Sequence, residues 1–458
     1  MESPLVASKA GLAVGLCSGV LAIAFEAMSV STAMPEAAAD LGRVDLYAWI
    51  FSLFTVGMLF ATVVGGRLGD RRGPVVPLVI GLVLFSVGLM VAGFAPAMEV
   101  LLVGRLLQGL GSGSLNVGYA LVLAHGFDPA ERPRMLSWFS TAWVVPSLLG
   151  PPLAAFITRA LSWHWVFFSV VPLLVLTVVV GGPALAKLPR ASLGGEHAPG
   201  ASVPLWTALV AALGTVGLQW VGQVLAHRDS TVETGVIVVV GVLALAGLVV
   251  AVPRLMPARD AAGGRGGLLA PIIVRTLGAG SFFGAQSFFP LLMVQLYGWS
   301  LLAAGAMLTV GAVGWTTGAW LQSQSRVPLR RDQVLLAGIV CVAIGLSVLV
   351  AVPWSGQWWL ALVGWVFAGL GMGSSMASIT LVVILRSSQD QQGRNNAALQ
   401  VGEAMGNSIL IGLAGTIYAF LAPVSLSSAF GWLLAAMAAC SVVAVIAAAR
   451  IGAIRDRD

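Results

Sequence analysis

Apolar runs of about twenty residues, each long enough to cross a bilayer as a helix, follow one another along nearly the whole chain. Marked off by charges and Pro/Gly clusters, they fall near 10–34, 46–66, 75–95, 99–123, 135–158, 164–186, 203–226, 233–252, 271–297, 300–322, 333–353, 358–385, 395–421 and 426–449. In hydrocarbon every backbone N–H and C=O must be paired inside its own segment, so runs of this length are read as helices. The expected fold is therefore an all-α polytopic membrane protein with 14 transmembrane spans. Composition agrees, with 58% hydrophobic residues, 9% charged residues and a mean hydropathy of +0.96. The first run is too long for a cleaved leader and is read as a retained helix.

An even number of spans puts both termini on one side. With the termini in the cytoplasm, only Arg43, Arg159 and Arg228 lie outside and Arg105 lies within a span; the rest of the 24 basic residues fall inside. That asymmetry fixes the expected orientation in a plasma membrane. It also accounts for the formal charge of +6 without nucleic acid, since the basic residues form no long run. Cys17, Cys341 and Cys440 all sit within apolar spans, which argues against a disulfide framework or a metal site.

A short internal repeat points to two halves. Gln108-Gly109-Leu110-Gly111-Ser112-Gly113-Ser114 in the fourth span returns 260 positions later as Ala368-Gly369-Leu370-Gly371-Met372-Gly373-Ser374 in the twelfth. The expected organisation is an N-terminal six-helix half over 1–190, two inserted helices with flanking loops over 191–267, and a C-terminal six-helix half over 268–458.

Ionisable groups inside the spans carry the chemical information. Glu26 lies in the first run, about nine residues and so ~13 Å from its outer end. Arg105 lies about six residues, or ~9 Å, inside the fourth. A lone charge at such depth costs at least ~2.5–3.5 kcal/mol on insertion scales, so the two are candidate partners. Two readings fit the pair: a proton-binding carboxylate balanced between burial and a nearby cation, or a permanent ion pair that only fixes packing. Arg105, Gln108, Ser112 and Asn116 share one helical face, which must look into a cavity or a neighbouring helix.

A second polar face, Asn396, Gln400, Glu403 and Asn407, appears in span 13, with Glu403 ~12 Å from the cytoplasmic end. It reads as a second protonation or substrate site, or as a hydrated inner vestibule. In span 9, Phe282, Phe283, Gln286, Phe288, Phe289 and Gln295 would suit a flat, apolar or cationic ligand, or serve packing. Gln219 and Gln223 in span 7 fit packing on a neighbouring helix. Between spans 2 and 3, Gly66, Asp70, Arg71 and Gly73 make a glycine-framed cytoplasmic turn, read as an electrostatic latch or a solvated loop. The chain has no Gly-x-x-x-x-Gly-Lys-Ser/Thr loop, which argues against an ATP-driven pump, and no His/Cys cluster that would suggest an enzyme.

These residues resemble the major facilitator superfamily, specifically its fourteen-span drug:proton antiporter branch. Gly66-x-x-x-Asp70-Arg71-x-Gly73 is similar to the family's signature loop, with Pro74 and Val75 where further basic residues are usual. Leu101-x-x-x-Arg105-x-x-Gln108-Gly109-x-Gly111 resembles its fourth-helix motif. Pro146, Gly150 and Pro151 resemble the antiporter motif of the fifth helix, with Pro146, Ala154 and Ala155 in place of expected glycines. Trp163-His164-Trp165-Val166-Phe167 is similar to the start of the sixth, and Glu26 stands nine residues before Pro35 where Asp is usual.

The resemblance implies alternating access by a monomer, with Arg105 in proton coupling, Asp70 locking one state and Pro151 shaping the fifth helix. It implies a proton-coupled exporter of lipophilic or cationic small molecules, driven by the proton gradient without a cofactor. Export or flipping of an endogenous lipid or metabolite, and nutrient uptake, are the competing expectations.

Overall fold

The structure is a computed structural model that describes residues 4–128, 131–186, 205–226, 232–255, 267–324, 329–387 and 392–454. The expected boundary at 190, most of the loop 253–267, and Lys187, Arg190, Arg228, Arg259, Arg265, Arg326, Arg455 and Arg457 lie outside the described residues. Among the described residues the chain is helical throughout, without strands. Thirteen helices are long and apolar enough to cross a membrane. Met98–Gly126 is as long, and the polar face that carries Arg105, Gln108 and Ser112 lowers its apolar average.

In chain order the helices are α1 (Pro4–Asp40), α2 (Tyr47–Arg72), α3 (Val75–Gly93), α4 (Met98–Gly126), α5 (Arg132–Ala160), α6 (His164–Phe168), α7 (Val171–Leu185), α8 (Leu205–Ala226), α9 (Thr234–Leu255), α10 (Leu269–Tyr297), α11 (Leu301–Ser323), α12 (Arg331–Ser355), α13 (Trp359–Arg386), α14 (Gln392–Leu421) and α15 (Leu426–Ala449). The expected sixth span is built from α6 and α7.

Two helix ends differ from expectation. α1 runs through Pro35 to Asp40. α2 runs through Arg72, so Gly66, Asp70 and Arg71 occupy its last turns, and only Gly73, at φ +83°, makes the turn. Arg71 and Arg72 face the negative end of the helix dipole, which favours continuation where glycines suggested a loop.

The helices pack into two units, Met1–Val44 with Leu53–Leu205, and Asp45–Ser52 with Trp206–Asp458. In the first, α1 lies against α5 and α7, and α3 lies along α4. Small residues allow the close approach: a Cβ on Gly15 would stand 2.4 Å from the Cα of Gly181, and Ser18 Oγ and Thr177 Oγ1 are hydrogen-bonded at 3.0 Å beside it.

At one end of this unit Lys9 Nζ donates to Asp128 at 2.7 Å and to Glu131 at 3.0 Å. The Lys9 ammonium holds the Asp128 carboxylate below the usual range. A carboxylate lowered in the folded state stabilises above its unfolded pKa and loses that contribution as pH falls through the folded value. Asp128→Asn is therefore expected to lower the unfolding temperature slightly at pH 7 in low salt. The difference from wild type should vanish below about pH 3 or near ~1 M salt, checked by heat denaturation in detergent.

In the second unit α13 packs on α11 and α12, and α10 on α14 and α15. α8 sits on α14, where Gly222 faces the Thr416 side chain and Gln219 lies against Gly412. Gln223 Nε2 donates to the Asp45 carbonyl at 2.9 Å, and Tyr47 Oη to the Ser287 carbonyl at 2.8 Å. α9 exposes Val238, Val239, Val242, Leu243 and Val249, as a helix bathed in hydrocarbon does. Trp354, Trp358, Trp359 and Trp432 are exposed around the α12–α13 turn and early α15, the aromatic belt of a membrane interface.

The glycine repeat does the same work in both units. On α4, a Cβ on Gly109 would meet the Phe54 carbonyl oxygen of α2 at 2.1 Å, one on Gly111 the Phe85 nitrogen of α3 at 2.4 Å, and one on Gly113 the Met58 oxygen of α2 at 2.3 Å. On α13, Gly369 meets the Gly311 oxygen of α11 at 2.1 Å, Gly371 the Gly338 oxygen of α12 at 2.4 Å, and Gly373 the Trp315 oxygen of α11 at 1.9 Å. Alternate glycines thus press two different neighbours, which is why the spacing returns 260 positions later.

Candidate functional site

The first unit holds the most deeply buried charges. Glu26 projects from α1 with no exposed surface, and Arg105 comes from α4 at 2%. Arg105 Nη1 donates to Glu26 Oε1 and also, at 2.5 Å, to Gln108 Oε1 one turn along the same helix. The Phe54 ring of α2 lies under the guanidinium, with Cζ 4.5 Å from its centroid. The apolar run around Glu26 keeps α1 helical and dry, while the Arg105–Gln108–Ser112 face of α4 is turned inward and buried.

The cluster is half satisfied. Glu26 Oε2, Gln108 Nε2 and Ser29 Oγ are buried and have no hydrogen-bond partner among the described residues. An isolated buried polar atom costs of the order of 1–3 kcal/mol, so this arrangement is one that holds unmet capacity. Chemically, a carboxylate with one oxygen engaged and the other free accepts a proton on the free oxygen without first releasing the guanidinium.

α5 closes this region. Gly150 is buried, and a Cβ there would stand 3.1 Å from Met28 Cβ and 3.6 Å from Ser29 Oγ. Pro146 and Pro151 lie within the same helix and are buried. Asn116, expected on the face of Arg105, is exposed. Asp70 and Arg71 lie at the exposed end of α2, and Gly66 has open space around it.

In the second unit Glu403 of α14 accepts from Arg275 of α10, from Nε at 2.8 Å and Nη2 at 2.6 Å, and Arg275 Nη1 reaches the Met376 carbonyl of α13 at 3.2 Å. Their side chains are 20% and 13% exposed, so this pair is wetter than Glu26–Arg105. Asn407, one turn on, is buried with its Oδ1 without a partner among the described residues, whereas Gln400 is exposed.

The aromatic face of α10 packs against α13, the second of the two roles allowed by the sequence. Phe282 and Phe289 each stack on Trp365, at 5.0 and 4.9 Å between ring centroids, both are 2% exposed, and Gln286 on the same helix is buried. Phe282 and Phe289 are thus packed on α13 rather than exposed to an open cavity.

Three residues escaped the sequence reading. Arg275 was counted with the cytoplasmic charges because it lies only six residues after the start of α10. Phe54 carries no signal of its own among so many apolar neighbours. Trp365 did carry one: it stands 260 positions after Arg105, the offset of the glycine repeat.

The fold and the buried charges define the class, a multi-pass helical membrane protein with ionisable groups inside its bundle. The sequence model of the Major Facilitator Superfamily matches residues 16–409, and the chain belongs to that family. It is 26% identical over 431 residues to multidrug resistance protein 3 of Bacillus subtilis, covering 93% of this chain and 82% of that one. It is 27% identical over 429 residues to a probable multidrug-efflux transporter of Mycobacterium tuberculosis, covering 89% and 87%. Among solved structures, a POT family transporter in complex with a thioalcohol-conjugated peptide superposes with a TM-score of 0.71 at 12% identity, covering 96% of each chain. A bacterial homologue of the human lysosomal transporter Spinster superposes at 0.64 and 14%, covering 98% and 97%. At those identities the structures share the fold alone.

Proposed function

We propose that the protein is a proton-coupled exporter of lipophilic or cationic small molecules, working by alternating access in a plasma membrane with both termini in the cytoplasm. The observation that carries this reading is the buried Glu26–Arg105 pair with one carboxylate oxygen free. Two relatives named for multidrug resistance or efflux, each aligned over most of its length, support the substrate class. In this reading Glu26 takes and releases the proton, Arg105 balances it, and Glu403 with Asn407 and Gln400 serves as a second contact for proton or substrate. Asp70 and Arg71, between Gly66 and Gly73, act as the conformational latch, and Pro146, Gly150 and Pro151 shape the fifth span beside α1. The two six-helix halves carry the cycle, α8 and α9 are an inserted pair, and the working unit is a monomer that uses the proton gradient with no cofactor.

Proteoliposomes with an imposed pH gradient and a fluorescent lipophilic cation test the reading. Wild type is expected to accumulate the dye against its gradient. Glu26→Gln is expected to lose gradient-driven accumulation while retaining dye exchange at equal pH on both sides. Accumulation undiminished in Glu26→Gln would sink the coupling role.

A further inference from the structure

We infer that Phe54 is a positioning residue for proton uptake: its ring, with the Gln108 carbonyl, is a second seat that keeps the Arg105 guanidinium solvated when Glu26 becomes neutral. The inference rests on the coupling role proposed for Glu26 and adds to it how the cation survives the step.

Protonating Glu26 adds one proton to the carboxylate and leaves Arg105 charged in a dry interior. An uncompensated buried cation is strongly unfavourable, and such a step proceeds only if something else meets the charge. Among the described residues, Arg105 is the ionisable group acting on Glu26, and Glu26 is the one acting on Arg105. α5, α6 and α7, which pack on α1, bring no charged group among the described residues to bear on the carboxylate. The Gln108 Oε1 at 2.5 Å and the face of Phe54 at 4.5 Å are two contacts of the guanidinium that do not depend on the charge of Glu26.

The ring matters more in the neutral state than in the charged one. Beside an intact ion pair, the ring's attraction for the cation is partly cancelled by its repulsion of the carboxylate. Once the carboxylate is neutral, the negative face of the ring meets a whole positive charge at low dielectric. Its place is fixed by backbone: the Phe54 carbonyl rests on Gly109, where a Cβ would be 2.1 Å away, and Gly57 one turn on lies against the Leu106 carbonyl, where a Cβ would be 2.8 Å away. The α2–α4 contact thus holds the ring over Arg105 independently of the state of Glu26. Gln108 completes the seat, since its Oε1 accepts from Arg105 while its Nε2 makes no hydrogen bond among the described residues.

The experiment follows the infrared carbonyl stretch of the protonated carboxylic acid against pH in lipid nanodiscs, with the full chain. Glu26→Gln identifies the Glu26 component as the band that is lost. At position 54 a fluorinated series, mono- to trifluoro-phenylalanine introduced by codon suppression, drains the ring's quadrupole at nearly constant shape, and Phe54→Leu removes it.

The expected result is a midpoint that falls step by step with fluorination, reaching about 0.5 to 1.5 pH units below wild type. That is a roughly 3- to 30-fold loss of proton affinity, the range set by exposed and desolvated cation–π contacts. A purely structural role for the ring predicts no such ordered movement, because the fluorinated rings pack alike. A Glu26 band whose midpoint does not move across the series overturns the role of Phe54 and leaves the coupling reading standing. A spectrum that loses no titrating component in Glu26→Gln overturns both. If Phe54→Leu does not fold, the fluorinated series decides alone.

Discussion

Arg105→Ala is expected to be among the most destabilising single substitutions in the chain, worth about 3–5 kcal/mol, because it strands the fully buried carboxylate of Glu26. Glu26→Gln should be milder, since a neutral amide still accepts from Arg105 and the stranded cation keeps Gln108 and Phe54 around it. The double variant Glu26→Gln/Arg105→Ala should recover much of the loss, a coupling of the sign expected for contacting residues. Heat denaturation of the three proteins in one detergent, read by size exclusion, checks this ordering. An Arg105→Ala protein as stable as wild type would mean that Glu26 is not isolated from other partners.

The second large effect concerns packing. Gly406→Ala is expected to abolish or sharply reduce folded protein, because the new Cβ would stand 1.9 Å from the Thr276 carbonyl oxygen and 2.7 Å from its carbon. Both obstacles are backbone, so no rotamer change relieves them and α10 and α14 must separate. Overpacking of an ordinary core costs about 1–3 kcal/mol, and a clash of two helix backbones lies above that range. Gly235→Ala on α9, with open space around it, is the control and should be neutral or slightly stabilising. Yield of monodisperse protein distinguishes the two. Equal yields would mean that the α10–α14 contact is looser than described.

Much of the architecture was legible in the chain because a bilayer restricts the choices so severely. Length and hydropathy alone marked the spans, and the Gly109–Gly113 and Gly369–Gly373 repeat exposed the shared plan of the two units. The contact of Glu26 with Arg105 could be anticipated from depth, since two opposite charges in hydrocarbon have few other places to go.

What could not be read was helix rotation. Whether Phe282 faces a ligand or Trp365 depends on a turn of α10 that its aromatic-rich sequence does not encode, and Asn116 shares a face with Arg105 yet ends up exposed. The end of α2 was missed for a different reason. Glycines at 65, 66, 69 and 73 suggested a loop, but in a long helix already held by its neighbours only Gly73 needs the left-handed conformation.

The 260-residue offset that relates the glycines also sets Trp365 where Arg105 would fall, so at this position the shared plan is charged in one unit and aromatic in the other. With the span end expected from the sequence, Glu26 lies ~13 Å inside a hydrocarbon layer about 30 Å thick, and in the proposed cycle a proton reaching it from the nearer face would cross roughly 40% of any membrane voltage, or about 1 kcal/mol per 100 mV. Trp365 and its two phenylalanines have no charge for that field to act on. At these matched positions, then, a membrane field finds a charge to act on in the first unit and none in the second, whose part-buried ion pair, Glu403 with Arg275, lies elsewhere on α14 and α10.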